Sequence, residues 1–180
     1  MLGLKITALL VQFITTISTF TYVPYVNLSQ YQGLWYQVYG SVSDYTFEGI
    51  NCRCVQAEYK INDCGNISVV NSELRNNKYQ NINGVAFYEE GHYGGDLSLI
   101  FNDLPTDNVG SYWIVELGPL VENMYDYSIV SDNNQFTLFV LTRDVDKFFK
   151  IYDNDVLISL ENMGFTKEYN KPIITNQTNC

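Results

Sequence analysis

The sequence predicts an all-β protein: an eight-stranded up-and-down antiparallel β-barrel with one C-terminal α-helix packed on its wall. Three observations predict it. From Gly33 to Thr142, short segments of alternating apolar and polar residues recur with turn residues between them. The apolar period then lengthens, with Phe149, Tyr152, Val156, Leu160 and Met163 at three- and four-residue steps. Aromatic residues make up 15% of the 180 residues, a content that suits strands.

Residues 1–20 read as a secretory signal. Lys5 precedes an apolar stretch broken only by Thr, Ser and Gln, too short and too polar for a comfortable membrane span. Cleavage after Ser18 or after Thr21 both fit. With no Cys near its end, the leader does not point to lipid attachment. Residues 21–180 are then one domain, long enough to bury roughly 70% of the unfolded surface.

A helical turn over 28–32 leads to Gly33, which lets the backbone turn into the first strand, 34–42. The other predicted strands are 52–61, 66–72, 81–88, 96–102, 110–117, 124–131 and 135–142. Asn62-Asp63-Cys64-Gly65 reads as a tight hairpin, and Gly118-Pro119 breaks the sixth strand. The helix spans about 144–163. Asp144 and Asp146 favour its N-terminus, and Gly164 terminates it. No repeat or linker argues for a second domain.

Alternation divides each strand into two faces. Trp35 is too large and apolar to face water without cost, so it points inward, and Gln37 and Tyr39 follow. Apolar parity adds Val55, Ala57 and Tyr59; Val69; Ile82, Gly84 and Ala86; Leu97, Leu99 and Phe101; Tyr112 and Ile114; Phe139 and Leu141. Cys54 and Cys52 then face outward, and Glu116 sits at the rim or faces out. Ala57, Gly84 and Ala86 are small enough to leave space, with tyrosine hydroxyls to orient a guest. Burying roughly 300–400 Å² of guest at about 25 cal/mol/Å² gives about 8–10 kcal/mol before association costs, enough for micromolar binding. The alternative is a barrel filled by its own side chains.

The net charge is −10 and the pI about 4.3, which argues against nucleic-acid or anionic-membrane partners. Cys52, Cys54, Cys64 and Cys180 suggest disulfides in a secreted chain. A straight strand over 55–61 would hold Cys64 about 30 Å from the first two, so Cys180 pairs with Cys52 or Cys54. Asn27, Asn66 and Asn176 head glycosylation sequons. The single histidine, His92, lies in a Gly-rich loop, and no metal site, cofactor loop or nucleophile elbow is spelled.

A guanidinium stacks well on an indole face, and Arg143 follows the last strand. Gly33-Leu34-Trp35-Tyr36 and Leu141-Thr142-Arg143-Asp144, in that order around the strands, resemble the lipocalins. Within that family the chain looks most like the apolipoprotein D and bacterial lipocalin branch, through residues 53–59, Tyr112-Trp113-Ile114-Val115 and the tail 171–180. The resemblance implies structural roles for Gly33, Trp35 and Arg143, and a Cys54–Cys180 disulfide. The family's Thr-Asp-Tyr motif is not spelled; a longer connection, 116–127, stands in its place. A second family disulfide has no partners here.

The resemblance also implies a secreted, extracellular carrier of a small hydrophobic ligand such as a fatty acid, lysophospholipid, sterol, retinoid or pigment. Gln37, Tyr39, Ala57, Tyr59, Val69, Ile82, Leu99, Phe101, Tyr112, Ile114 and Phe139 are the candidate ligand-binding residues. The protein is expected to be a monomer or weak dimer, with no cofactor and no integral span in the mature chain. Its open-end loops leave room for transient membrane or receptor contact. Two other readings compete. A lipid-modifying enzyme on the same barrel would need Cys52 or Cys64 to face inward with a lowered pKa. An interaction or scavenging protein would use exposed aromatics at Tyr45, Phe47 and Tyr93 in the open-end loops.

Overall fold

The structure is a computed structural model that describes residues 20–43, 52–102 and 109–180. The leader, with its Ser18 cleavage alternative, and the loop carrying Tyr45 and Phe47 lie outside the described residues, apart from Phe20.

Eight antiparallel strands close on themselves. They are β1 (Gly33–Gly40), β2 (Cys52–Ile61), β3 (Ile67–Arg75), β4 (Lys78–Phe87), β5 (Asp96–Phe101), β6 (Gly110–Leu117), β9 (Tyr127–Ser131) and β10 (Phe139–Thr142). Each pairs with its neighbour in that order, and β10 pairs back onto β1. A small hairpin of β7 (Leu120–Val121) and β8 (Met124–Tyr125) occupies the long connection between β6 and β9. Closure removes the free strand edges that an open sheet would expose.

Two strands run longer than predicted. β3 and β4 continue to a tight turn at Asn76-Asn77, where both residues take positive φ (51° and 59°). That is the backbone a two-residue hairpin requires, and Asn tolerates it.

Two β-bulges shift the faces. In β1 the register slips between Gln37 and Tyr39, so Tyr39 pairs with Val140. Tyr39 therefore points out of the barrel, correcting its inward assignment. Its ring meets Phe148 and Phe149, and its hydroxyl donates to Asp153 Oδ1 at 2.6 Å. In β2 the register slips between Arg53 and Gln56, around Cys54 at φ +57°. Cys52 then lies opposite Arg75, two steps along β3 from Glu73 and four from Asn71, which itself lies opposite the inward Ala57. Cys52 thus takes the inward register, not the outward one expected. One inserted residue inverts the parity beyond it.

The predicted helix is two helices, α2 (Val145–Ile151) and α3 (Asp153–Met163). Asp144 caps α2 through the Lys147 N–H at 3.0 Å. The break falls at Tyr152, ahead of Asp153-Asn154-Asp155, residues that favour helix starts over interiors. It changes the helical phase: Phe148 is fully buried while Phe149 is 38% exposed, correcting the predicted apolar face. Phe148, Val156 and Leu160 pack on Val38, Val115, Ile129, Leu138 and Val140 of the barrel's outer wall. Beyond Gly164, at φ +93°, the tail returns to the barrel. β11 (Ile173–Ile174) pairs with β1, and the residues after it run alongside β2, where Cys54 N–H donates to Asn176 O at 2.9 Å. Cys54 is bonded to Cys180 across a sequence separation of 126 residues. Cys52 and Cys64 are not in disulfides.

Candidate functional site: the barrel interior

The closed end is built on Trp35, which is fully buried. A short helix, α1 (Leu28–Tyr31), brings Tyr31 over it, and the Trp35 indole N–H donates to Tyr31 O at 2.8 Å. Arg143 lies over the indole, its Cζ 3.6 Å from the ring centroid. The guanidinium donates to Leu34 O at 2.6 Å, to Tyr31 O and Gln32 O at 2.8 Å, and to Tyr125 O at 3.3 Å. It thus ties together carbonyls at the end of α1, in β1 and at Tyr125, and shares Tyr31 O with the Trp35 indole. Burial pushes the Arg143 pKa down to about 10, opposed by Tyr31, Tyr59 and Asp126.

Above this plug, a chain of hydroxyls crosses the interior. Ser128 Oγ lies 3.3 Å from Tyr31 Oη, Tyr31 Oη lies 2.8 Å from Tyr112 Oη, and Tyr112 donates to Tyr59 Oη at 2.9 Å. Each hydroxyl carries one proton, so the Tyr59 O–H remains to donate elsewhere. Burial raises all three tyrosines above their ordinary value, Tyr31 to about 12. Their rings pack with Ala57, Ile67, Val69, Ala86, Leu97 and Ile114 in one buried cluster. The lower half of the barrel is therefore filled. The space expected beside Ala57 and Ala86 lies within this packed cluster. A Cβ on Gly84 would come 2.6 Å from Ile100 O and 2.9 Å from the Phe101 ring, so that position leaves no gap either.

The upper half differs. Ile82, Leu99, Phe101 and Phe139 share the inward face with the buried cluster, yet each is only half-buried. Leu99 and Phe139 pack against the edge of the floor cluster, and none of the four is fully covered. Gln37 lies opposite Leu141 in the inward register, but its amide is committed to Thr175 Oγ1 at 2.9 Å. Two outer clefts of about 360 Å³ each lie elsewhere, one between α2 and the tail, the other beside Arg143 at the closed end.

Of the predicted lining, Ala57, Tyr59, Val69, Tyr112 and Ile114 form the packed floor, and Ile82, Leu99, Phe101 and Phe139 the accessible part. Glu116 faces α3, where its carboxylate accepts from Tyr127 at 2.8 Å and pairs with Ser159. Tyr93 is exposed but sits in the β4–β5 loop, at the closed end near Val23. That corrects its assignment to the open-end loops. His92 pairs with Asp96 at 2.7 Å, and among the described residues no group of metal-ligating side chains is assembled. Asn27 accepts from the Ser29 N–H at 3.1 Å, Asn66 is half-buried beside its turn, and Asn176 is exposed.

Sequence reasoning missed Tyr31 as a floor residue, and it missed Asn71, Glu73 and Arg75 as inward residues of β3. The signal for the latter was the Asn76-Asn77 pair, a hairpin cue that extends the parity of Val69 upward.

The sequence model of the lipocalin-like domain matches residues 26–170. No curated protein sequence matches the chain. Among solved structures, insecticyanin from the tobacco hornworm Manduca sexta aligns with a TM-score of 0.63 and 16% identity, over 91% of this chain and 87% of that one. The major allergen Per a 4 from cockroaches aligns with a TM-score of 0.58 and 17% identity, over 89% of this chain and 94% of that one.

Proposed function

The chain belongs to the lipocalin family, and on that premise we propose that it is a secreted carrier of a small hydrophobic molecule held in the upper half of its barrel. The observation that carries the reading is the contrast between the two halves. The floor is packed and hydrogen-bonded, whereas Ile82, Leu99, Phe101 and Phe139, on the same inward face, are only partly buried. Such a lining binds by buried apolar area. The guest sits on the floor residues and is lined by the accessible ones.

Secretion is supported by the signal-like residues 1–20 and by the disulfide, which persists in oxidising compartments. Among the described residues no helix is long and apolar enough to cross a membrane. We read the protein as a binding protein and not as an enzyme. The test is titration with an environment-sensitive apolar fluorophore. Saturable binding at micromolar concentration is expected, and Ile82→Trp should abolish it while preserving the fold. Absence of saturable binding by the folded wild-type protein contradicts the proposal.

A further inference from the structure

The inward face of β3 changes character along its length. Ile67 and Val69 belong to the packed floor, and the same face continues as Asn71, Glu73 and Arg75. Ile82 lies opposite Asn71, Gln80 opposite Glu73 and Cys52 opposite Arg75. Arg75 Nη2 pairs with Glu73 Oε1, and the Cys52 thiol is hydrogen-bonded to the Glu73 carboxylate. Three polar atoms of this column are buried with no hydrogen-bond partner among the described residues: Asn71 Oδ1, Glu73 Oε2 and Arg75 Nε. Each such atom has lost its water without gaining a partner, and that cost is recovered by whatever supplies one.

The unpaired set is two acceptors and one donor, on the inward face of β3 beside Ile82. Acceptors need O–H or N–H groups. A carboxylate has no proton to offer at neutral pH, and it would meet Glu73, whose charge already neutralises Arg75. A hydroxyl both donates to Asn71 or Glu73 and accepts from Arg75 Nε. Resting on the carrier reading, we propose that the guest is an uncharged amphipath. Its hydroxyl- or amide-bearing head pairs with Asn71, Glu73 and Arg75 toward the open end, and its apolar body lies against Leu99, Phe101 and Phe139. Carboxylate-headed lipids are the disfavoured class.

The experiment displaces the apolar fluorophore with two probes that share one acyl chain, monolauroyl glycerol and dodecanoate, at neutral pH. Two hydrogen bonds to buried acceptors correspond to about a tenfold or larger preference for the glycerol ester. Asn71→Leu should weaken the ester with little effect on the acid. Glu73→Gln should strengthen the acid, because it frees the Arg75 charge. Glu73→Gln nearly conserves volume and Asn71→Leu keeps the branched outline with a larger side chain, and near-ultraviolet circular dichroism checks that each variant is folded. Equal affinity for the two probes, or tighter binding of the acid to wild type, overturns the inference and leaves the carrier reading standing. So does a preference that both variants retain. Failure of the fluorophore to bind overturns both.

Discussion

The guanidinium of Arg143 lies over the Trp35 ring, with Cζ 3.6 Å from the ring centroid, although 108 positions separate the two residues in the sequence. The contact joins the first and last barrel strands where they pair, so the closed end and barrel closure depend on the same two side chains. Trp35→Ala is expected to destabilise the protein by roughly 3–5 kcal/mol through lost burial and the cavity left behind. Arg143→Met keeps much of the packing but leaves the carbonyls of Tyr31, Gln32, Leu34 and Tyr125 without this donor. It should cost about 2–4 kcal/mol. Urea unfolding of both variants measures this, and unchanged midpoints would contradict it.

Gly33 has φ +100°, and a Cβ there would sit 3.3 Å from Arg143 Nη1. Gly33→Ala therefore meets backbone strain and a crowded guanidinium together. A loss of about 1–3 kcal/mol is expected, visible as a lowered thermal midpoint.

The Cys54–Cys180 bond ties the tail to β2 across 126 residues. Closing so long a loop constrains the unfolded chain, and reduction should cost about 2–4 kcal/mol. For a chain of this size that corresponds to a fall of roughly 5–15 °C in thermal midpoint. Calorimetry with and without reductant reads it directly, and Cys54→Ser should reproduce the reduced value.

Tyr31, Tyr59 and Tyr112 all hold their protons more tightly when folded than when unfolded, chiefly because burial disfavours the phenolate. A raised folded pKa contributes stability that is complete below the unfolded value near 10 and is lost as pH climbs through the folded one. Stability should therefore fall steeply between pH 10 and 12. Tyr31 alone, moved to about 12, accounts for roughly 3 kcal/mol of that loss. Ultraviolet titration of tyrosine, run beside circular dichroism, should show these phenols ionising together with unfolding. Their ionisation near pH 10 in the folded state would contradict the packed floor.

Strand number, strand order and most of the inward face were legible in the sequence because alternation is a local signal. Val69, Leu97, Tyr112 and Ile114 needed only parity with an apolar neighbour. Tyr39 and Cys52 were misplaced because a β-bulge inverts parity without changing composition, so nothing local to Gln37-Val38-Tyr39 announces it. The helix face was misread for a similar reason: the break at Tyr152 resets the phase between Phe148 and Phe149. The polar column was hidden because Asn71, Glu73 and Arg75 look like solvated strand-end residues until β3 is seen to run inward as far as the Asn76-Asn77 turn. Tyr31 escaped notice because its partners, Tyr59, Tyr112 and Ser128, are brought to it only by barrel closure.

Native mass spectrometry of the protein purified from a secretory host decides whether the barrel carries a guest. An added mass of a few hundred daltons is expected, lost on denaturation and extracted into organic solvent as an uncharged amphipath, with Ile82→Trp carrying none. A wild-type protein that is purified at its bare mass and stays there after incubation with excess monolauroyl glycerol or dodecanoate would contradict the carrier reading.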